Sequence, residues 1–92
     1  MHYTAEQIAE RKVAFDLASE TTKTLRKMGK DVSVIIEGVP LKESKYVIEV
    51  WTPDVLLTKW YAKDIADVRI KIGRIINAYK KAQEEDKANE AD

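Results

Sequence analysis

Apolar residues recur along this chain in three stretches of different rhythm: helical spacing first, alternation next, and helical spacing again toward the carboxy terminus. In the first stretch Ile8, Ala14, Phe15, Leu17, Ala18, Thr21, Leu25 and Met28 fall at three- and four-residue steps, which predicts an amphipathic helix with a broad buried stripe. Thr4 and Gln7 have the spacing of a capping box, in which a Thr hydroxyl accepts from the third helical N–H and the Gln side chain reaches back to the cap N–H. Glu6 and Glu10 lie near the start and Lys23, Arg26, Lys27 and Lys30 near the end, the order that a helix dipole favours. Gly29 is a natural stop, so the helix is expected at about residues 4–29.

The rhythm then changes to alternation. Val32, Val34 and Ile36 alternate with Ser33, Ile35 and Glu37, and Tyr46, Ile48 and Val50 alternate with Val47, Glu49 and Trp51. Both runs are rich in β-branched and aromatic residues, as strands are, and Gly38, Pro40 and the polar Lys42–Ser44 between them supply turn chemistry. A β-hairpin is predicted.

Thr52, Pro53 and Asp54 read as the opening of a second helix: a Thr cap, Pro at the first helical position where a missing N–H does no harm, and an acidic residue in the first turn. Downstream, Val68, Ile70 and Ile72 alternate with Arg69 and Lys71 as a strand would. Yet Tyr61, Ile65, Val68, Ile72, Ile75, Tyr79 and Ala82 keep an unbroken heptad register. The longer pattern favours helix, even though Gly73 costs a helix interior about 1 kcal/mol relative to Ala. A helix from Pro53 to about Asp86 would be roughly 50 Å long, longer than the roughly 32 Å diameter of a compact chain of this size. Besides the heptad seam it carries a smaller stripe of Leu56, Ala66, Ile70, Gly73 and Asn77. The expected fold is therefore α+β in the order α-β-β-α, one domain over residues 1–83 with an acidic tail over 84–92. The long helix pairs two copies into a homodimer through Tyr61, Ile65, Val68, Ile72, Ile75 and Tyr79. The order helix, antiparallel strands, long helix is broadly similar to that of the YbaB-type nucleoid-associated proteins, which are dimers; the resemblance is one of element order and implies a link to DNA.

Composition narrows the function. With 92 residues, 45% apolar and 35% charged, the chain is built to fold, and one core is all it can hold. It has no Cys, hence no disulfide framework and no thiolate metal site. Neither a signal peptide nor an apolar run long enough to span a bilayer is evident, so a cytoplasmic location, or the cytoplasm of an infected host, is expected. Net charge is zero but unevenly placed. Residues 59–81 carry seven Lys/Arg against two Asp/Glu (+5), residues 82–92 one against five (−4), and residues 1–58 eight against nine (−1).

Catalytic equipment is scarce. The single His is His2, beside a terminus; the serines at 19, 33 and 44 lack a nucleophile-elbow setting; and Gly29, Gly38 and Gly73 form no phosphate-cradling loop. Neither enzyme activity, nor a cofactor, nor a metal is expected. Trp51 and Trp60, with Lys59 and Lys63, form a candidate partner contact or an aromatic clamp for a nucleotide base and phosphate. Arg69, Lys71, Arg74, Lys80 and Lys81 form a candidate nucleic-acid contact on the long helix, set against their ordinary role of keeping a helix face solvated. The resulting expectation is a small self-associating protein that binds another macromolecule stoichiometrically, as an adaptor, an assembly factor or an inhibitor of the sort encoded by viruses and mobile elements. The alternatives are a dimeric nucleic-acid-associated protein and a protein that sequesters a nucleotide.

Overall fold

A computed structural model describes the backbone of residues 4–90 and the side-chain environment of residues 4–85. Helix α1 spans Ala5–Lys27, strands β1 Ser33–Gly38, β2 Tyr46–Trp51 and β3 Leu56–Ala62 follow, and helix α2 covers Ile65–Glu90. The chain is α+β with one strand more than the sequence pattern predicts, in the order α-β-β-β-α.

Both ends of α1 form as expected. The Thr4 hydroxyl accepts the Gln7 N–H at 3.1 Å, and the Gln7 side-chain oxygen accepts the Thr4 N–H at 2.9 Å. At the other end Gly29 takes the left-handed conformation (φ 83°) that a side chain would resist. Its N–H donates to the Arg26 carbonyl at 3.0 Å and the Lys30 N–H to the Leu25 carbonyl at 3.1 Å, closing a Schellman motif. The buried stripe of α1 is narrower than its apolar stripe. Ala14, Ala18, Thr21 and Leu25 face inward, whereas Ile8 and Phe15 are 57% and 72% exposed. Thr21 remains compatible with that burial because its hydroxyl donates to the Leu17 carbonyl at 2.6 Å.

The sheet is antiparallel in the order β1-β2-β3. Val34, Ile36, Tyr46, Ile48, Val50, Trp60 and Ala62 turn one face toward the helices, and the core closes on Leu25, Val32, Val68, Ile72 and Ile75. Leu25, Ile48, Val50 and Val68 are the largest fully buried side chains, each contributing about 1.5–3 kcal/mol of transfer free energy. Both helices cover this one face, α1 along β1 and α2 against β2 and β3, giving two layers.

The expected helix start at Pro53 is corrected. Thr52 does accept the Asp54 and Val55 N–H groups on its hydroxyl, at 3.3 and 2.9 Å, as an N-cap would. Its own N–H, however, donates to the Val55 carbonyl at 2.9 Å, and the chain reverses around Pro53 and Asp54 into β3. Leu56 and Tyr61 are consequently strand residues. The register steps by one between Val50/Thr58 and Trp51/Leu56, so Leu57 is the extra residue of a β-bulge. The cap of α2 is Asp64, whose carboxylate accepts the Asp67 N–H at 2.8 Å. In turn Asp67 accepts from the Lys71 ammonium at 2.7 Å and the Lys63 N–H at 2.9 Å, and these bonds, the one from Lys71 first, hold its carboxyl below the usual range. Val68 to Ile72 is helix, and Gly73 lies inside it.

Candidate functional site

The heptad positions do not form a free surface. Val68, Ile72 and Ile75 are buried against the chain's own sheet, at 0%, 6% and 4% exposure, and Ile65 and Tyr79 pack at the margin of the same core. Tyr61, on β3, is 44% exposed on the other side of the sheet. Of the six positions expected at a dimer interface, Val68, Ile72 and Ile75 are thus taken up by the chain's own core, because β3 gives α2 a sheet to pack on. The smaller stripe is what remains outside, with Ala66, Ile70 and Asn77 exposed and Gly73 half-buried.

The two indoles are likewise kept apart. Ile48 pairs with Trp60 across β2 and β3, so Trp60 shares the helix-covered face and packs on the core. Trp51 pairs with Ser33 and points to the opposite face, where its Nε1 donates to the Glu49 carboxylate at 3.4 Å. No base could stack between them, and the Trp51–Trp60 clamp is not formed.

What the strands do present is an uncovered face. Alternation places Ser33, Ile35 and Glu37 of β1, Val47, Glu49 and Trp51 of β2, and Lys59 and Tyr61 of β3 on the side away from both helices. The ladders align them in rows, Glu37–Val47–Tyr61 above Ile35–Glu49–Lys59. Val47 is almost fully covered by its neighbours, while Ile35 and Tyr61 stand 39% and 44% exposed. The Lys59 ammonium lies 5.7 Å from the centre of the Tyr61 ring, a cation–π distance, and faces Glu49 across the strand pair. Leu57 at the bulge is 51% exposed. The face is a mosaic of apolar and aromatic side chains among single charges of both signs.

The basic residues of α2 lie elsewhere. Arg69, Arg74, Lys80 and Lys81 are exposed on the helix, in the layer opposite this face; Lys71 is engaged by Asp67 at 2.7 Å, and Lys63 sits exposed at the β3–α2 junction. A third feature is the groove where the amino-terminal half of α1 meets the β1–β2 connection, with volumes of about 760 Å³ and 350 Å³ in two adjoining parts. Tyr46 reaches into it and its hydroxyl donates to the Glu10 carboxylate at 3.0 Å; burial and then that bond push the phenol's pKa up. Among the described residues no group of three His, Cys, Asp or Glu side chains is placed to hold a metal ion, and no helix is long and apolar enough to cross a membrane. His2 lies outside the described residues.

Neither the uncovered face nor the groove was evident from the sequence. The face depends on β3, whose Leu56–Ala62 run carries apolar residues on both sides and hides its alternation. Comparison of the chain with protein-family models, with curated proteins and with solved structures finds no match.

Proposed function

We propose that this chain is a small non-catalytic binding module that acts stoichiometrically on a protein partner through the uncovered face of its sheet. The supporting observation is the placement of both helices on one side, which leaves Ile35, Tyr61 and Trp51 exposed or half-exposed beside Glu49 and Lys59 on the other. Aromatic side chains that combine apolar area with a polar atom are the ones that dominate protein interfaces, and single charges among them fix orientation. An adaptor, an assembly factor and an inhibitor all meet this description. The basic helix speaks for nucleic acid less strongly: its cations are spread around α2, and one of them is tied up by Asp67.

The reading is tested by capturing partners from the native cell on the immobilised wild type and on an Ile35→Lys, Tyr61→Lys double variant. Both substitutions are at exposed positions and should leave the melting temperature nearly unchanged. A specific protein held by the wild type should bind the variant at least about tenfold more weakly, the loss of one or two interface anchors. Equal binding by the two would remove the sheet face from the function.

A further inference from the structure

Strand β1 is an edge strand, and its outer edge is closed over only part of its length. The Val39 N–H donates to the Lys45 carbonyl at 2.9 Å, which fixes the phase of the ladder: backbone groups of odd-numbered residues in β1 face β2, and those of Val34, Ile36 and Gly38 face outward. Near the start of the strand α1 seals that edge. Thr22 accepts the Val34 N–H on its hydroxyl at 2.9 Å, and the Arg26 guanidinium donates to the Val32 carbonyl at 3.3 Å. Thr22 and Arg26 belong to one stripe of α1 that continues at helical steps through Ser19 to Phe15 and Ile8.

Where this stripe reaches the second half of β1, its side chain is Phe15, which has nothing to accept with. Phe15 and Ile36 line one groove of about 350 Å³ with Gly38. The outward N–H groups of Ile36 and Gly38 meet no acceptor among the described residues. Arg11 is close to Gly38 but offers only donors. Unpaired backbone donors in register, with an apolar wall beside them, are what an added β-strand requires.

We propose that the groove between α1 and the Ile36–Gly38 edge binds an extended peptide segment of a partner protein as a fourth strand. Carbonyls of that segment accept the Ile36 and Gly38 N–H groups, and an apolar side chain packs on Phe15. A free segment suits the site better than a second folded copy, since the unsealed edge is only about 10 Å long at the rise of a strand and has a helix alongside. The other edge, β3, differs: Lys59 at its centre and the bulge at Leu57 are devices that discourage strand addition. This site is separate from the uncovered face, so either can fail without the other.

The test exploits Gly38. A Cβ there would meet only an Arg11 guanidinium nitrogen at 3.8 Å and the Lys45 carbonyl oxygen at 3.9 Å, ordinary contacts, and its φ is not left-handed. Gly38→Ala keeps the outward N–H, whereas Gly38→Pro removes it without breaking a ladder bond. Decapeptides selected on the full chain from a random displayed library are the probe. Expected are binders whose complex slows hydrogen exchange at the Ile36 and Gly38 amides. Affinity should stay within about twofold for Gly38→Ala and fall about tenfold or more for Gly38→Pro. Phe15→Ser should weaken binding by a similar factor with the fold intact, and carries the test with the exchange data if Gly38→Pro does not fold. The proposal is overturned if no peptide binds, if Gly38→Pro binds like the wild type, or if protection appears along β3 instead. It also fails if the isolated chain dimerises in sedimentation and Gly38→Pro abolishes the dimer, which would assign the edge to a second copy.

Discussion

Gly73 occupies an interior position of α2 with nothing within 4 Å of where its Cβ would lie, and its φ is not left-handed. Neither a turn nor a close approach asks for glycine there, so its backbone freedom is simply lost on folding. Gly73→Ala should stabilise the chain by about 1 kcal/mol, raising the melting temperature by about 4–8 °C in a domain of this length. A thermal melt followed by circular dichroism decides it, and an unchanged or lower midpoint would show that Gly73 faces a constraint absent from this structure. Thr52 shows why single residues misled at the sequence level. Its hydroxyl accepts the Asp54 and Val55 N–H groups, the bonds that open a helix. The same local bonds also close a tight reversal, and only the cross-strand bond from the Thr52 N–H to the Val55 carbonyl tells the two apart.

At the scale of elements, α1, β1 and β2 were legible because cap, period and stop agree: Thr4 with Gln7, the alternation about Val34 and Ile48, and Gly29. Strand β3 was not legible, because Leu56, Leu57, Trp60 and Tyr61 put apolar groups on both faces, and the heptad register extends back through Tyr61 by coincidence. The start of α2 did leave a signal in Asp64 and Asp67, a cap and its third helical residue. Which half of an apolar stripe is buried was also beyond the pattern. Phe15 and Ala14 are neighbours on α1, yet the small residue faces the sheet and the large one solvent. The seam of α2 provides the sharpest test at this scale. Were Ile72 and Ile75 at a dimer interface, Ile72→Asp with Ile75→Asp would yield a folded monomer. Because both pack beneath β2 and β3, the double variant should instead unfold, each site costing on the order of 3 kcal/mol or more against a total stability of about 5–15 kcal/mol. Loss of the far-ultraviolet circular dichroism signal and of amide dispersion would bear this out. A folded variant would return the seam to the surface.

The whole molecule is longer than its core. Its radius of gyration is 15.1 Å, against about 12 Å for a compact chain of this length, and its extents are 58 × 22 × 22 Å. Helix α2 accounts for the excess, since its 26 residues run about 39 Å while, among the described residues, its packing on the core ends at Tyr79. Past that point the Gln83 side-chain amide donates to the Met28 carbonyl at 3.1 Å, pinning α2 to the end of α1. Glu84 and Glu85 beyond it are exposed. The helix therefore divides into a part that the fold needs and a part that it carries. A chain ending after Glu85 should melt within about 4 °C of the full length, since it keeps the core packing of Tyr79 and the Gln83 bond to Met28. One ending after Ala78 loses the packing of Tyr79 and the Gln83 bond, and should lose on the order of 2 kcal/mol or more. Thermal melts of the two truncations next to the full chain measure where the domain ends. If the chain ending after Glu85 is as damaged as the one ending after Ala78, residues 86–92 contribute to folding.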